Sequence, residues 1–172
     1  MELLEQFTRG ELDAFERLFR QYQGEVYGWI VRMVRNPALA EDLTIEAFWR
    51  IYRAHARFDP ARSFGAWARR IATNVAIDHL KSARHEIELP SDIRAPAPAD
   101  PGAQTEMQAA IAAAFRSLPA KLQAAATLAL VEERPHEEVG EALGISAGAV
   151  KSRVFRATRL LRRKLQRMGF QP

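Results

Sequence analysis

The sequence predicts an all-α fold of two small helical domains joined by a flexible linker. On both sides of the middle of the chain, apolar residues recur at helical spacing. No run of alternating β-branched residues appears between them. Residues 89–102, LPSDIRAPAPADPG, hold Pro90, Pro96, Pro98 and Pro101 with almost no large apolar side chain. Such a stretch can neither propagate a helix nor supply a core. The expected division is therefore 1–88, a linker over 89–104, and 105–172. At 172 residues and 48% hydrophobic content, the chain has enough apolar surface for packed helical cores.

The first long helix is expected around residues 12–35, where Phe15, Leu18, Phe19, Tyr22, Val26, Trp29, Ile30 and Met33 make a broad apolar face. Asn36 and Pro37 end it and start the next helix, Asn36 as cap and Pro37 at the first helical position. In that helix, over residues 38–57, Leu43, Ala47, Ile51, Ala54 and Phe58 line one face. Ile45, Trp49 and Tyr52 project nearly opposite, beside Asp42. A second apolar stripe either packs against another helix or docks a partner, and periodicity does not choose between them.

After FDPAR, Ser63 caps a helix running to about residue 84, with Phe64, Ala68, Ile71 and Val75 as its buried stripe. Trp67, Arg70, Asn74, Ile77 and Lys81 fall together on another face. Amides read base edges, cations hold phosphates and aromatics stack on unpaired bases, so this strip suits nucleic acid. The alternative is that Trp67 completes the core and the rest is ordinary helix surface.

The C-terminal half carries a helix-turn-helix over residues 136–165: HEEVGEALG, an ISAG corner, then AVKSRVFRATRLLRRKL. Val139 and Leu143 share one face of its first helix, with Glu137, Glu138 and Glu141 on the other. Gly140, lacking a side chain, is expected to let the second helix cross closely. Ser146 is the natural cap of the second helix, and Val150, Val154, Ala157, Leu161 and Leu165 form its buried stripe. The outward face then holds Lys151, Ser152, Phe155, Arg156 and Arg159, with Arg163 a turn beyond. From residue 146 to 168 every charged side chain is Lys or Arg, whereas a merely solvated face mixes both signs. DNA contact through a major groove is the expectation.

Other chemistries find little support. The chain has no cysteine, hence no disulfide, thiolate metal site or thiol nucleophile, and its net charge is only +4. The mixed composition of residues 1–20 does not read as a signal peptide, and no apolar run reaches membrane-spanning length, so a cytoplasmic protein without membrane insertion is expected. GISAG at residues 144–148 matches a nucleophile elbow, but that motif needs a strand where this chain has a helix. His55, His79, His85 and His136 lack the pairing that metal ligation requires. No catalytic site, metal or cofactor is expected.

Taken together, the segments resemble an extracytoplasmic-function (ECF) sigma factor of the sigma-70 family. AEDLTIEAFWRIYRAHARFDPARSFGAWARRIATNVAIDHLKSAR resembles region 2 of that family, through AEDL, the RFDP corner and the pattern carried by Trp67, Arg70, Ile71, Ala72, Asn74, Ala76, Asp78 and Leu80. SLPAKLQAAATLALVEERPHEEVGEALGISAGAVKSRVFRATRLLRRKL resembles region 4. The resemblance implies a transcription initiation factor that joins core RNA polymerase, directs it to promoters and helps melt them.

It also implies sites. Asp42, Ile45, Glu46, Trp49 and Tyr52 would dock on the clamp helices of the polymerase's largest subunit. Arg62, Ser63, Phe64, Trp67, Arg70, Asn74 and Lys81 would meet the minus-ten element, with loop 59–64 forming a pocket for a flipped base. Lys151, Ser152, Arg153, Phe155, Arg156 and Arg159 would meet the minus-thirty-five element. Core polymerase and promoter DNA are the implied partners, and an anti-sigma factor is common in the family.

Three departures stand out. Thr44-Ile45 replaces an apolar residue followed by Gln, which implies a more apolar polymerase contact. Lys151 replaces a frequent Arg and loses the bidentate fork to guanine. ERPHEEVG replaces a small-polar and aromatic entry to the motif, with Pro135 expected to start the helix. The rival reading is a helix-turn-helix regulator that binds DNA without polymerase.

Overall fold

The computed structural model describes residues 2–88 and 105–170, so the predicted linker at 89–104 lies outside the described residues. Among the described residues eight α-helices follow in order: α1 (Glu2–Thr8), α2 (Leu12–Val34), α3 (Pro37–Arg53), α4 (Phe64–Glu88), α5 (Thr105–Arg116), α6 (Ala120–Ala126), α7 (His136–Leu143) and α8 (Ala147–Arg167). A 3₁₀ turn, His55–Arg57, follows α3, and a π-helical turn, Thr127–Val131, widens the end of α6. No strand occurs among the described residues.

Helices α2, α3 and α4 form a three-helix core, because each turns one apolar stripe inward. Leu18, Val26, Ile30, Met33, Leu43, Ala47, Ile51, Phe64, Ala68 and Val75 are all buried, as their spacing predicts. Their boundaries are fixed by local chemistry. Asn36 caps α3 by accepting a hydrogen bond from the Leu39 amide at 3.2 Å, with Pro37 at its first position. Ser63 caps α4 through the Ala66 amide at 3.2 Å. Arg50 of α3 donates to Asp78 of α4 at 2.8 Å and to Glu46 at 2.8 Å, and these hydrogen bonds raise its pKa further above the ordinary arginine value. Asp78, part of the region 2 pattern, therefore braces two helices.

Helix α1 escapes the periodicity reading because seven residues are too few to show a repeat. It nevertheless inserts Phe7, fully buried, against Phe15, Phe58, Phe64 and Trp67. Burial of such a side chain stabilises by about 1.5–3 kcal/mol. Helix α3 also stops at Arg53, earlier than the expected residue 57, and tightens into the 3₁₀ turn. Ile77, expected on the outer strip of α4, is buried with the core instead.

The second unit packs α8 across α5, α6 and α7. Val150 and Ala157 of the predicted stripe are buried, while Val154, Leu161 and Leu165 are half-buried. Gly140 is closely approached, by the corner more than by the second helix itself: a Cβ there would lie 2.6 Å from the Ile145 carbonyl oxygen and 3.4 Å from the Ala147 nitrogen at the start of α8. Ser146 caps α8 through the Ala149 amide at 3.1 Å.

The two helical units pack against each other. Ala120, Ala124, Leu128, Val139, Ala142 and Val150 belong to the same buried apolar cluster as the first unit's core. Helices α6 and α7 both lie on α4. Trp29 sits at this junction, 2% exposed, its indole N–H donating to Thr73 at 2.8 Å. The guanidinium groups of Arg69 and Arg134 lie over its ring at 5.4 and 5.3 Å.

Candidate nucleic-acid interface and docking face

Three surfaces collect the residues singled out above. The first is the outer face of α3. Ile45 is 66% exposed and Trp49 59%, with Asp42 and Glu46 exposed beside them and Tyr52 half-buried. The second apolar stripe is thus a surface, and Leu43, Thr44, Ala47, Phe48 and Ile51 hold it from behind. Ile45 and Trp49 continue into a groove of about 510 Å³ with Leu12, Phe15, Glu16, Phe19 and Phe48. The share of α2 in this groove was hidden in the sequence, because Phe15 and Phe19 read as core. Leu12, 65% exposed one turn before Phe15, is the signal that the stripe runs past the core. Glu46 is held by Arg50, which leaves Asp42 as the unpinned acid of the set.

The second surface is a cleft of about 570 Å³ at the start of α4, lined by Arg57, Phe58, Asp59, Arg62, Ser63, Ala66, Trp67, Arg70 and Glu141. Its loop is shaped from within. The Asp59 carboxylate accepts from the Ala61 amide at 3.0 Å, and the Asp59 carbonyl accepts from the Arg62 amide at 2.9 Å. Phe58 and Phe64, 5% and 2% exposed, anchor its two ends in the aromatic cluster. Trp67 packs on Phe58 with ring centroids 4.8 Å apart and is half-buried, so both readings of it hold: one side completes the core and the rest lines the cleft.

Of the predicted minus-ten set, Arg62, Ser63, Arg70, Asn74 and Lys81 are exposed. Phe64 is corrected: buried as it is, it positions the loop and presents no surface to a strand. Arg57 and Glu141 join the cleft without having been singled out for it. Arg57 carries no periodic signal because it sits in the 3₁₀ turn, and Glu141 arrives from the other unit.

The third surface is the outward face of α8. Lys151, Ser152, Phe155, Arg156 and Arg159 are exposed, Phe155 at 63%, while Arg153 is half-buried toward the edge. Gly148, Lys151, Ser152, Phe155 and Arg156 surround a shallow depression. The Arg159 guanidinium lies 5.9 Å from the Phe155 ring centroid, a cation–π contact that steadies both. A helix whose first two turns offer cations, a hydroxyl and an apolar ring has the donors and methyl-contacting surface that major-groove reading needs. Among the described residues no group of three or more His, Asp or Glu could hold a metal ion, and no helix is long and apolar enough to cross a membrane.

Comparison with known proteins identifies the family of the two units. The family model of sigma-70 region 2 matches residues 18–86, and that of sigma-70 region 4 matches residues 108–161. The chain is 37% identical to the ECF RNA polymerase sigma factor BldN of Streptomyces coelicolor, over 96% of this chain and 65% of that protein. It is 37% identical to the RNA polymerase sigma factor CarQ of Myxococcus xanthus, over 94% of this chain and 95% of that one. Among solved structures, CnrH in complex with the cytosolic domain of CnrY shares the fold, with a TM-score of 0.57, 23% identity and 95% of each chain covered. The first unit is thus region 2, the second is region 4, and the chain belongs to the sigma-70 family of RNA polymerase sigma factors, in its ECF class.

Proposed function

We propose that this sigma factor docks on core RNA polymerase through the exposed face of α3, captures the minus-ten strand in the cleft at the start of α4, and reads the minus-thirty-five element with α8. The observation that carries this reading is the coexistence, on one chain, of an exposed apolar face with an outward helix face whose charges are all basic. A regulator that binds duplex alone needs the basic helix but has no use for Ile45 and Trp49 on the surface.

Asp42, Ile45, Glu46, Trp49 and Tyr52 meet the clamp helices of the largest polymerase subunit. Arg62, Ser63, Trp67, Arg70, Asn74 and Lys81 meet the minus-ten element, and Lys151, Ser152, Arg153, Phe155, Arg156 and Arg159 the minus-thirty-five element. Labour divides along the chain as 1–88 for polymerase and minus-ten, 89–104 for the connection, and 105–172 for minus-thirty-five. Sigma factors are non-enzymatic initiation factors, and we infer the same of this chain, acting in the cytoplasm and open to restraint by an anti-sigma factor.

Run-off transcription with purified core polymerase, followed by start-site mapping, tests the reading. Specific initiation that depends on added chain is expected. Gel filtration separates the rival: co-elution with core polymerase supports the sigma assignment, and self-dimerisation without co-elution overturns it.

A further inference from the structure

We propose that α7 and the turn before it form an electrostatic latch that seats region 4 against the minus-ten cleft, so that the free chain guards its own strand-binding surface. The proposal rests on the minus-ten reading of that cleft, and three carboxylates of the second unit carry it.

Glu138 pairs with Arg69 of α4 at 2.9 Å and with Arg134 at 3.1 Å, the two cations that lie over the Trp29 ring. Glu132 holds Arg35 at 3.0 Å and Arg32 at 3.7 Å, both at the end of α2. Glu141 lines the cleft itself, in the company of Arg57, Arg62 and Arg70. Glu141 thus adds a second carboxylate to that of Asp59 in a cleft lined by three guanidiniums, and a strand phosphate entering there meets its negative charge. The fit is close. Gly144, with φ +69°, lies so near Arg70 that a Cβ would stand 2.7 Å from a guanidinium nitrogen.

The latch is adjustable because of where its charges sit. Val139 and Ala142 give α7 an apolar seat that salt does not weaken. The paired side chains are partly solvent-exposed, from 19% for Glu132 to 57% for Arg35, so ions screen them. The ionic part therefore tips a closed–open balance. A strand that binds only the open form sees its affinity reduced by the open fraction.

The test uses the full chain. Because it has no cysteine, Gln21→Cys on α2 and Thr158→Cys on α8 give a unique donor–acceptor pair for energy transfer. In that background E132Q/E138Q/E141Q is compared with E2Q/E5Q/D13N, which removes the same charge from exposed positions outside the junction. The DNA probe is a fluorescein-labelled pool of random single-stranded 12-mers, and circular dichroism confirms equal helix content.

The junction variant is expected to lose energy transfer and to bind the pool about tenfold tighter than the control variant. Arg62→Ala with Asn74→Ala should abolish that gain. Wild type should move toward the open signal as salt rises from about 0.05 to 1 M. Unchanged energy transfer in the junction variant overturns the latch, and so does an equal gain in the control. If the variant opens but its gain survives Arg62→Ala with Asn74→Ala, the minus-ten reading fails and the guarding role with it.

Discussion

The two surfaces proposed to face DNA are built in opposite ways. On α8 the outward residues do nothing but face outward: Lys151, Ser152, Phe155 and Arg156 are exposed, and the buried stripe behind them is a separate set. At the start of α4 the same side chains serve two masters. Trp67 lines the cleft and completes an aromatic cluster, Phe64 shapes the loop from inside the core, and Arg70 lies under Gly144 of the other unit. A surface of the first kind tolerates change in its reading residues without loss of fold. One of the second kind couples recognition to stability.

The sharpest way to break this contrast is Trp29→Ala. Trp29 lies beneath the covered side and joins both units, so its loss should cost about 3–5 kcal/mol, read as a fall in the urea midpoint. A loss below about 1 kcal/mol would mean that the junction contributes nothing to the fold. Trp49→Ala comes next and should act in the reverse sense. Removing a central exposed aromatic should weaken binding to core polymerase by about 2 kcal/mol or more. Its melting temperature should stay close to wild type, since surface changes fall within about 0.5 kcal/mol.

On α8, Arg156→Ala should weaken binding to an upstream promoter element by about 1–3 kcal/mol without a change in stability. Lys151→Ala should act more evenly across promoter variants, because an ammonium is a point charge. Asn74→Ala should reduce promoter opening, seen as permanganate reactivity of unpaired thymines, by about 1–2 kcal/mol in effective free energy, while upstream binding persists. Smallest is Arg50→Gln, which should cost less than about 1 kcal/mol given the partial exposure of the pair. Its folded pKa is raised from an already high value, so the contribution is complete below the unfolded pKa and is lost only as pH rises through the folded one. The cost should therefore be the same from about pH 6 to pH 9.

This contrast also explains what was legible in the sequence. The helices, the caps at Asn36, Ser63 and Ser146, and the close approach at Gly140 rest on residues within a few positions of one another, so one chain displays them. The all-basic face of α8 is legible for the same reason. The junction is different. Nothing local marks Glu138 as Arg69's partner 69 residues away, or Glu141 as part of a cleft that begins at Arg57. Glu137, Glu138 and Glu141 read as one solvated face, yet only Glu137 among them is without a place at the junction. Helix α1 stayed hidden because its one deeply buried anchor, Phe7, gives no periodic signal.

The π-helical turn Thr127–Val131 carries none of the residues proposed to read DNA. Its ring is closed by the Glu132 amide donating to the Thr127 carbonyl at 3.0 Å, five residues back rather than four. Deleting one residue here would let the backbone continue as an ordinary α-helix, turning everything downstream by about 100° and drawing it back about 1.5 Å. Glu132 would then point away from Arg32 and Arg35, and α7 would face α4 with a different side. The angular bearing of α8 on the rest of the chain is thus geared through a single surplus residue, and a one-codon deletion would reset it while leaving every side chain proposed to contact DNA in the sequence.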